Sequence, residues 1–261
     1  MRLRIATWNV NSVRLRAEQA ARFVAEQAPD VLCLQEIKCQ AGEFPTQAFA
    51  DAGLPHIVIN GQKGWHGVAI ASRLPIEAVA PLGLCREGHA RCMSGKIAGV
   101  EIHNLYIPAG GDVPDRAANA KFDHKLDFYE RLTAEMATRS PSDPLILAGD
   151  LNVAPSEYDV WNHKFMSRVV SHTPPEIAAM AALKASLTFF DPVRQAVPEP
   201  ARLFSWWSYR AADFRLSNRG LRLDHIWLTP ALGGAAARIH DDVREWERPS
   251  DHAPVSVDLA I

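Results

Sequence analysis

Apolar runs of strand length recur from one end of the chain to the other, and several close abruptly on carboxylate, amide or imidazole side chains. The run over residues 3–10 closes on Asn9 and Asn11, that over 31–34 on Gln35-Glu36, and that over 144–148 on Gly149-Asp150-Leu151-Asn152. A further run, 222–228, carries Leu223-Asp224-His225, and the last, 255–261, is preceded by Pro249-Ser250-Asp251-His252. Short continuous apolar runs of this kind read as buried strands. If the strands lie side by side, their polar ends gather at one edge.

Further strands are expected at 56–60, 67–72, 96–107, 187–193 and 203–209, separated by glycine and proline turns. Helical spacing marks 16–28, with Ala17, Ala20, Ala21, Val24 and Ala28 on the apolar positions, and also 117–139, 156–168 and 174–185. Strands outnumber helices and often follow one another directly. That order predicts packed sheets with helices outside, an α/β sandwich, rather than strict βαβ winding.

With 48% hydrophobic residues in 261, the chain has ample material for a core, and no low-complexity or linker segment divides it. The expectation is a single domain, 1–261. No charge-free stretch approaches the ~18 apolar residues of a membrane span, and the polar residues near the start leave no signal-peptide core. Cys33, Cys39, Cys85 and Cys92 form no C-x-x-C pair and have no histidines at zinc spacing. They read as free thiols of a cytoplasmic protein. A net charge of −2 argues weakly against a polyanionic partner, but Arg210, Arg215, Arg219 and Arg222 cluster against one acid, Asp213.

One acid at a strand end is ordinarily a turn residue. The set as a whole supplies what phosphodiester cleavage requires: a hard cation on few carboxylates, an activated water, and donors for charge growing on phosphate. Glu36 is suited to magnesium, with Asn9 supplying a neutral oxygen beside it. Asp150 can take or orient the proton of the attacking water, and Asn152 can donate to phosphate oxygens. His252, protonated, can stabilise negative charge. Its neighbour Asp251 points to the opposite face of an extended chain, so Asp224 is the expected orienting partner, leaving Asp251 free to act near the metal.

Tyr106, ahead of the Pro108 turn, could contact the scissile phosphate. Phe204, Trp206, Trp207 and Tyr209 stand directly before the arginines, and aromatic rings beside cations hold displaced bases or sugars. The Gly61-Gln62-Lys63-Gly64 loop lacks Walker spacing, which excludes a nucleoside-triphosphate reading.

These motifs, Thr7-Trp8-Asn9-Val10-Asn11, Leu34-Gln35-Glu36-Ile37-Lys38, Gly61–Gly64, Tyr106-Ile107-Pro108, Gly149-Asp150-Leu151-Asn152, Phe204-Ser205-Trp206, Asn218–Asp224 and Ser250-Asp251-His252-Ala253-Pro254, together resemble the exonuclease III family of abasic-site endonucleases, within the superfamily that includes DNase I. The resemblance covers essentially the whole chain. It implies a four-layered α/β sandwich of two mixed sheets with the site at one rim. It further implies Mg2+-dependent hydrolysis, with Mn2+ as a substitute, of the phosphodiester 5′ to an abasic sugar in duplex DNA. A 3′-hydroxyl remains, and 3′–5′ exonuclease and 3′-phosphatase activities often accompany the cut. The protein would act as a monomer.

By motif position the catalytic candidates are Tyr106, Asp150, Asn152, Asp224 and His252. The metal-site candidates are Asn9, Glu36, Asp150, Asn152, Asp251 and His252. DNA contacts fall to Asn11, Lys63, Trp206 as the wall of the sugar pocket, Leu221 near it, and Arg210 in a loop that in relatives enters the DNA. Departures from the family pattern concentrate in 157–185 and bear on the balance of endonuclease and exonuclease activity. A phosphatase of the same superfamily would keep Glu36, Asp150 and His252, but the 206–222 segment and the Gly61–Gly64 loop match the DNA-cutting branch. A decayed, non-catalytic DNA-binding protein would lose carboxylates first, and every expected one is present.

Overall fold

A computed structural model describes residues 2–211, 213–233 and 236–261. In chain order the strands are β1 (Arg2–Asn9), β2 (Val31–Gln35), β3 (His56–Asn60), β4 (Val68–Ser72), β5 (Glu77–Ala78), β6 (Cys92–Ile97), β7 (Val100–Tyr106), β8 (Leu145–Asp150), β9 (Trp206–Trp207), β10 (Gly220–Leu221), β11 (Asp224–Leu228), β12 (Ala237–Ile239) and β13 (Val255–Ala260). The helices are α1 (Ala17–Gln27), α2 (Thr46–Asp51), α3 (Ala120–Met136), α4 (His163–Met166), α5 (Pro174–Ser186), α6 (Pro192–Ala196) and α7 (Phe214–Ser217). One sheet runs β12-β13-β1-β2-β4-β3 and a second β11-β8-β7-β6-β5. Both are mixed, because β1 pairs β2 and β7 pairs β8 in parallel while their other neighbours are antiparallel.

The period-two alternation of strands builds the layers. Leu3 and Ile5, Val31 and Cys33, Ile102, Ile146 and Ala148, Ile226, and Val255 and Val257 meet in one core between the sheets. Their neighbours face outward. Ala6, Trp8, Leu32 and Leu34 pack on Ala20, Phe23 and Val24 of α1, and Leu105, Leu145, Leu147 and Trp227 pack on α3 and α5 through Phe128, Leu132, Met180 and Leu183. The result is the expected sandwich of two mixed sheets between helical layers. Each fully buried aliphatic side chain contributes roughly 1.5–3 kcal/mol relative to exposure.

The same alternation places the chemistry. Counting on from Ile5, Val31, Ile102, Ala148 and Ile226 by twos, Asn9, Gln35, Tyr106, Asp150 and Asp224 also point between the sheets, at the edge where the core stops.

Several expected elements differ. The strand expected over 96–107 is two strands, β6 and β7, joined through Ala98 (φ 50°) and Gly99 (φ 83°), the left-handed pair that a tight hairpin requires. The expected strand 187–193 makes only the isolated bridge Phe190–Leu228, because Asp191 caps the helix α6 and Pro192 starts it. The strand expected over 203–209 shrinks to β9. The helix expected over 156–168 breaks into a 3-10 turn, Glu157–Asp159, and α4, since Val160 between them bridges Leu221. Helices α2 and α7 and strands β5, β10 and β12 were not anticipated.

Gly149 stands next to Leu105 in the parallel pair of β7 and β8, with φ 140°, and a β-carbon there would lie 2.0 Å from the Leu105 carbonyl oxygen. Backbone on both sides of the clash leaves little room to yield. Gly149→Ala is expected to cost about 3 kcal/mol or more, seen as a lowered urea midpoint. A midpoint within error of wild type would contradict this packing.

Candidate active site

Asn9 sits at the end of β1, and its amide Nδ2 donates to Glu36 Oε1 and to Asp150 Oδ2, each at 3.0 Å. It thus ties the end of β2 in one sheet to the end of β8 in the other. Its oxygen accepts from the Asn11 backbone N–H at 3.1 Å, so the group turned to the carboxylates is the NH2 and not the neutral oxygen anticipated from sequence. Glu36 lies just past β2 in the left-handed region (φ 49°), as do Asn11 (φ 44°) and Asn152 (φ 55°). Strained backbone of this sort persists where surrounding contacts over-determine it.

The Tyr106 hydroxyl donates to Glu36 Oε1 at 2.8 Å, and the Lys38 ammonium lies 2.9 Å from Oε2. Burial costs the Glu36 charge, yet Lys38 and Asn9 outweigh it and hold the carboxyl below its ordinary range. Burial, with Glu36 and Asp150 adding to it, pushes the Tyr106 phenol well above its ordinary value. A Tyr106 phenolate is thereby disfavoured as a general base.

Asp150 Oδ2 accepts from Asn9, Oδ1 accepts from the Asn152 backbone N–H at 3.0 Å, and His252 Nε2 is 3.8 Å away. Burial lifts this carboxyl to about 7, against the pull of His252. On the far side of the ring, His252 Nδ1 is 2.8 Å from Asp224 Oδ2, which also accepts from the Ser205 hydroxyl at 2.7 Å. Burial alone would lower the His252 pKa, but Asp224 and Asp150 override it and raise the ring to about 10. The imidazole is therefore a cation at neutral pH, oriented by Asp224, as alternation predicted. Asp251 instead accepts from Asn11 Nδ2 at 3.1 Å and Trp206 Nε1 at 3.0 Å.

Lys125, on α3 and absent from the sequence-based site, supports the loops behind this cluster. Fully buried, it donates to the carbonyls of Ala109 (3.2 Å) and Asn152 (2.7 Å) and pairs with buried Glu176. Glu176 in turn accepts from the backbone N–H groups of Ser171 and Thr173. No local pattern distinguished this lysine from an ordinary helical one. Asn152 Nδ2 donates to the Ile107 carbonyl at 2.8 Å, closing the same pair of loops.

A cleft of about 920 Å³ opens over these groups, lined by Glu36, Tyr106, Asp150, Asn152, Asp251 and His252 on its floor. Trp206, Leu221, Arg210, Arg219, Trp161 and Phe165 wall it, while Lys63 is exposed on its loop away from the lining set. The arginine cluster is divided. Arg222 is buried and ion-paired with Asp159 (2.8 Å) and Asp191 (2.6 Å), and Arg215 is held on the surface by Asp241 and Glu245. Only Arg210 and Arg219 of the four line the cleft.

The four carboxylates Glu36, Asp150, Asp224 and Asp251 face two cations, Lys38 and His252. One negative charge is left over in a poorly solvated place, and a second once Asp150 ionises near pH 7, while Asp224 Oδ1 is buried without a hydrogen-bond partner. Asp150, Asp224 and His252 also bring one ligand atom each within 4.8 Å of one another. A hard divalent cation on carboxylate oxygens fits this excess, since it offsets the charge that burial penalises. His252, protonated and already bound through Nδ1, fits it poorly as a ligand.

A two-sheet sandwich with such a cluster at its rim is the architecture of metal-dependent phosphoester hydrolases. The endonuclease/exonuclease/phosphatase family profile matches residues 6–252. Exodeoxyribonuclease III of Haemophilus influenzae is 30% identical over 97% of this chain and 98% of its own. An AP endonuclease from Archaeoglobus fulgidus has the same structure with a TM-score of 0.91 at 31% identity, covering 99% of this chain and 100% of that one. A 3′ phosphatase from Neisseria, solved bound to product DNA hairpin, gives a TM-score of 0.89 at 32% identity, covering 99% and 100%. The chain belongs to the exonuclease III/AP endonuclease branch of the endonuclease/exonuclease/phosphatase family and is a nuclease that hydrolyses phosphodiester bonds.

The His252 shift has a definite sign. A pKa raised from 6.5 to about 10 contributes stability that is complete below 6.5, declines above it, and is gone once the pH passes about 10. In EDTA, the His252 ring followed by NMR should stay charged through neutral pH, whereas Asp224→Asn should bring its titration down toward the ordinary histidine value and weaken the alkaline loss of stability. A wild-type ring that titrates near 6.5 would contradict the ion pair.

Proposed function

We propose that this nuclease cuts duplex DNA on the 5′ side of abasic sites in base excision repair, leaving a 3′-hydroxyl, and clears blocked 3′ ends as a 3′–5′ exonuclease and 3′-phosphatase. The observation that carries the reading is Asp150. It is a carboxyl lifted to about 7, fixed by Asn9 and the Asn152 N–H, beside an imidazolium, on the floor of an aromatic- and arginine-walled cleft. A base poised near the working pH is what proton abstraction from water favours.

Asp150 takes the proton of the attacking water. His252, kept charged by Asp224, and the second amide hydrogen of Asn152 donate to phosphate oxygens as negative charge grows there. Tyr106 adds an O–H donor beside them. Glu36 and Asp251 are the groups we assign to magnesium, for which manganese can substitute; when bound, the ion would act as a Lewis acid toward the phosphate oxygens. Asn9 stands beside them with its NH2 on Glu36 and Asp150, holding both carboxylates in place.

Trp206 and Leu221 form the wall against which the abasic sugar rests, with Trp206 held by Asp251. Arg210, at the lip, fills the gap left in the stack, and Asn11 and Lys63 contact the backbone. The AP endonuclease and 3′ phosphatase among the relatives support both activities. The free cysteines and the absence, among the described residues, of a helix able to cross a membrane accord with a cytoplasmic protein, and we assign it as a monomer.

A duplex carrying one abasic-site analogue should be nicked with Mg2+ and left intact with EDTA. Asp150→Asn and His252→Asn should each slow that nicking by at least ~100-fold while binding of the same duplex is retained. An intact duplex after incubation of wild-type protein with Mg2+ refutes the reading, and binding lost in parallel with rate refutes the roles of Asp150 and His252.

A further inference from the structure

Away from the carboxylates, the loop between β5 and β6 brings a thiol, an imidazole and a carboxylate into a row. Cys85 Sγ lies 3.4 Å from His124 Nε2, and His124 Nδ1 lies 3.4 Å from Glu87 Oε1. Glu87 favours the proton on Nδ1, which leaves Nε2 free to accept from the thiol. His124 is buried on α3, and burial lowers its pKa despite Glu87, so the ring is a neutral acceptor at physiological pH. The guanidinium groups of Arg86 and Arg91 act on the same ring and favour its neutral form, and His89 Nδ1 lies 3.3 Å from the other oxygen of Glu87.

The other three thiols have no such setting. Cys33, Cys39 and Cys92 are buried, and burial pushes Cys33 and Cys92 up to about 12. Among the four, Cys85 alone is half-buried.

We propose that Cys85 is an activated thiol and a site of oxidative modification, with His124 as its proton acceptor and Glu87 as the group that orients the imidazole. Toward hydrogen peroxide the step balances simply. The thiol proton passes to His124 Nε2, the thiolate sulfur attacks one peroxide oxygen, the S–O bond forms and the O–O bond breaks. Sulfur is oxidised by two electrons to a sulfenic acid, and the departing hydroxide takes the proton from His124 and leaves as water.

Native protein treated briefly with iodoacetamide at pH 7 and mapped by mass spectrometry should carry the label at Cys85 at least ~10-fold ahead of the other three cysteines. Peroxide followed by dimedone should tag the same residue, and C85S should abolish that tag. His124→Asn and Glu87→Gln should each slow labelling of Cys85 several-fold at pH 7. Should His124→Asn unfold the chain, Cys33 and Cys92 would label as well, and Glu87→Gln, on the exposed side of the row, then decides. Labelling of Cys85 at an unchanged rate in folded variants of both His124 and Glu87 would overturn the proposal.

Discussion

The Asn9 amide is the one small group on which the working edge of this molecule depends, because it bonds simultaneously to a carboxylate from each sheet. Two sheets packed only through aliphatic side chains can slide by fractions of an ångström at little cost, since dispersion is non-directional. Hydrogen bonds at 3.0 Å cannot, and they sit where the apolar core ends. Just inside lies a second polar bridge of the same kind. Asn104 of β7 accepts from Gln35 Nε2 at 2.6 Å and donates to the carbonyls of Leu34 and Ala69 in the opposite sheet. Asn9 and Asn104 each use the amide oxygen and both amide hydrogens, and buried amides so satisfied fix the relative register of the layers, while the Gln35 oxygen is left without a partner.

That register turns a set of buried charges into a usable site. A carboxylate taken out of water is costly unless something offsets it, and here each is offset differently. Glu36 has Lys38 and remains ionised, Asp224 has the imidazolium and a serine hydroxyl, and Asp150 has only amides and a more distant His252. The difference in partners spreads the behaviour of chemically similar groups, leaving one carboxyl near neutrality and one histidine firmly charged. The loops that carry these groups are held from behind by a second buried pair, Lys125 and Glu176, whose charges are consumed by backbone groups. Breaking one member of such a pair strands the other, typically at about 3–5 kcal/mol.

Much of this was legible in the sequence because strand alternation is strict. Knowing that Ile146 and Ala148 face the core places Asp150 at its edge, and the same counting assigned Asp224 rather than Asp251 to His252. What escaped was whatever depends on contact between distant segments. Lys125 looks like any helical lysine until the loop of Asn152 is folded against it. The hairpin at Ala98 and Gly99 was hidden inside a long apolar run, and the apolar stretch before Pro192 read as a strand until Asp191 was seen to cap a helix. Lys38 was visible within a motif, but its pairing with Glu36 was not.

Arg222 shows most clearly why composition misleads. In sequence it is the last of four arginines in a basic run, and electrostatics alone would send it toward phosphate. In the fold its side chain is buried against Asp159 and Asp191, and its backbone N–H donates to the Asp159 carbonyl at 2.9 Å. This clamp holds the chain between a residue that lines the cleft and one that supports its floor from behind. Leu221 before it bridges Val160 and forms part of the wall, and Asp224 after it enters β11 opposite Asp150. The arginine thus acts on the site through geometry and not through charge. Of the four arginines, the two left to meet an anionic ligand are Arg210 and Arg219, which line the cleft, the guanidinium of Arg219 lying 4.9 Å from the Trp161 ring. A chain with a net charge of −2 can still present a positive lip to a polyanion, because the charge at the mouth of the cleft is set locally by these two arginines and not by the acids spread over the rest of the surface.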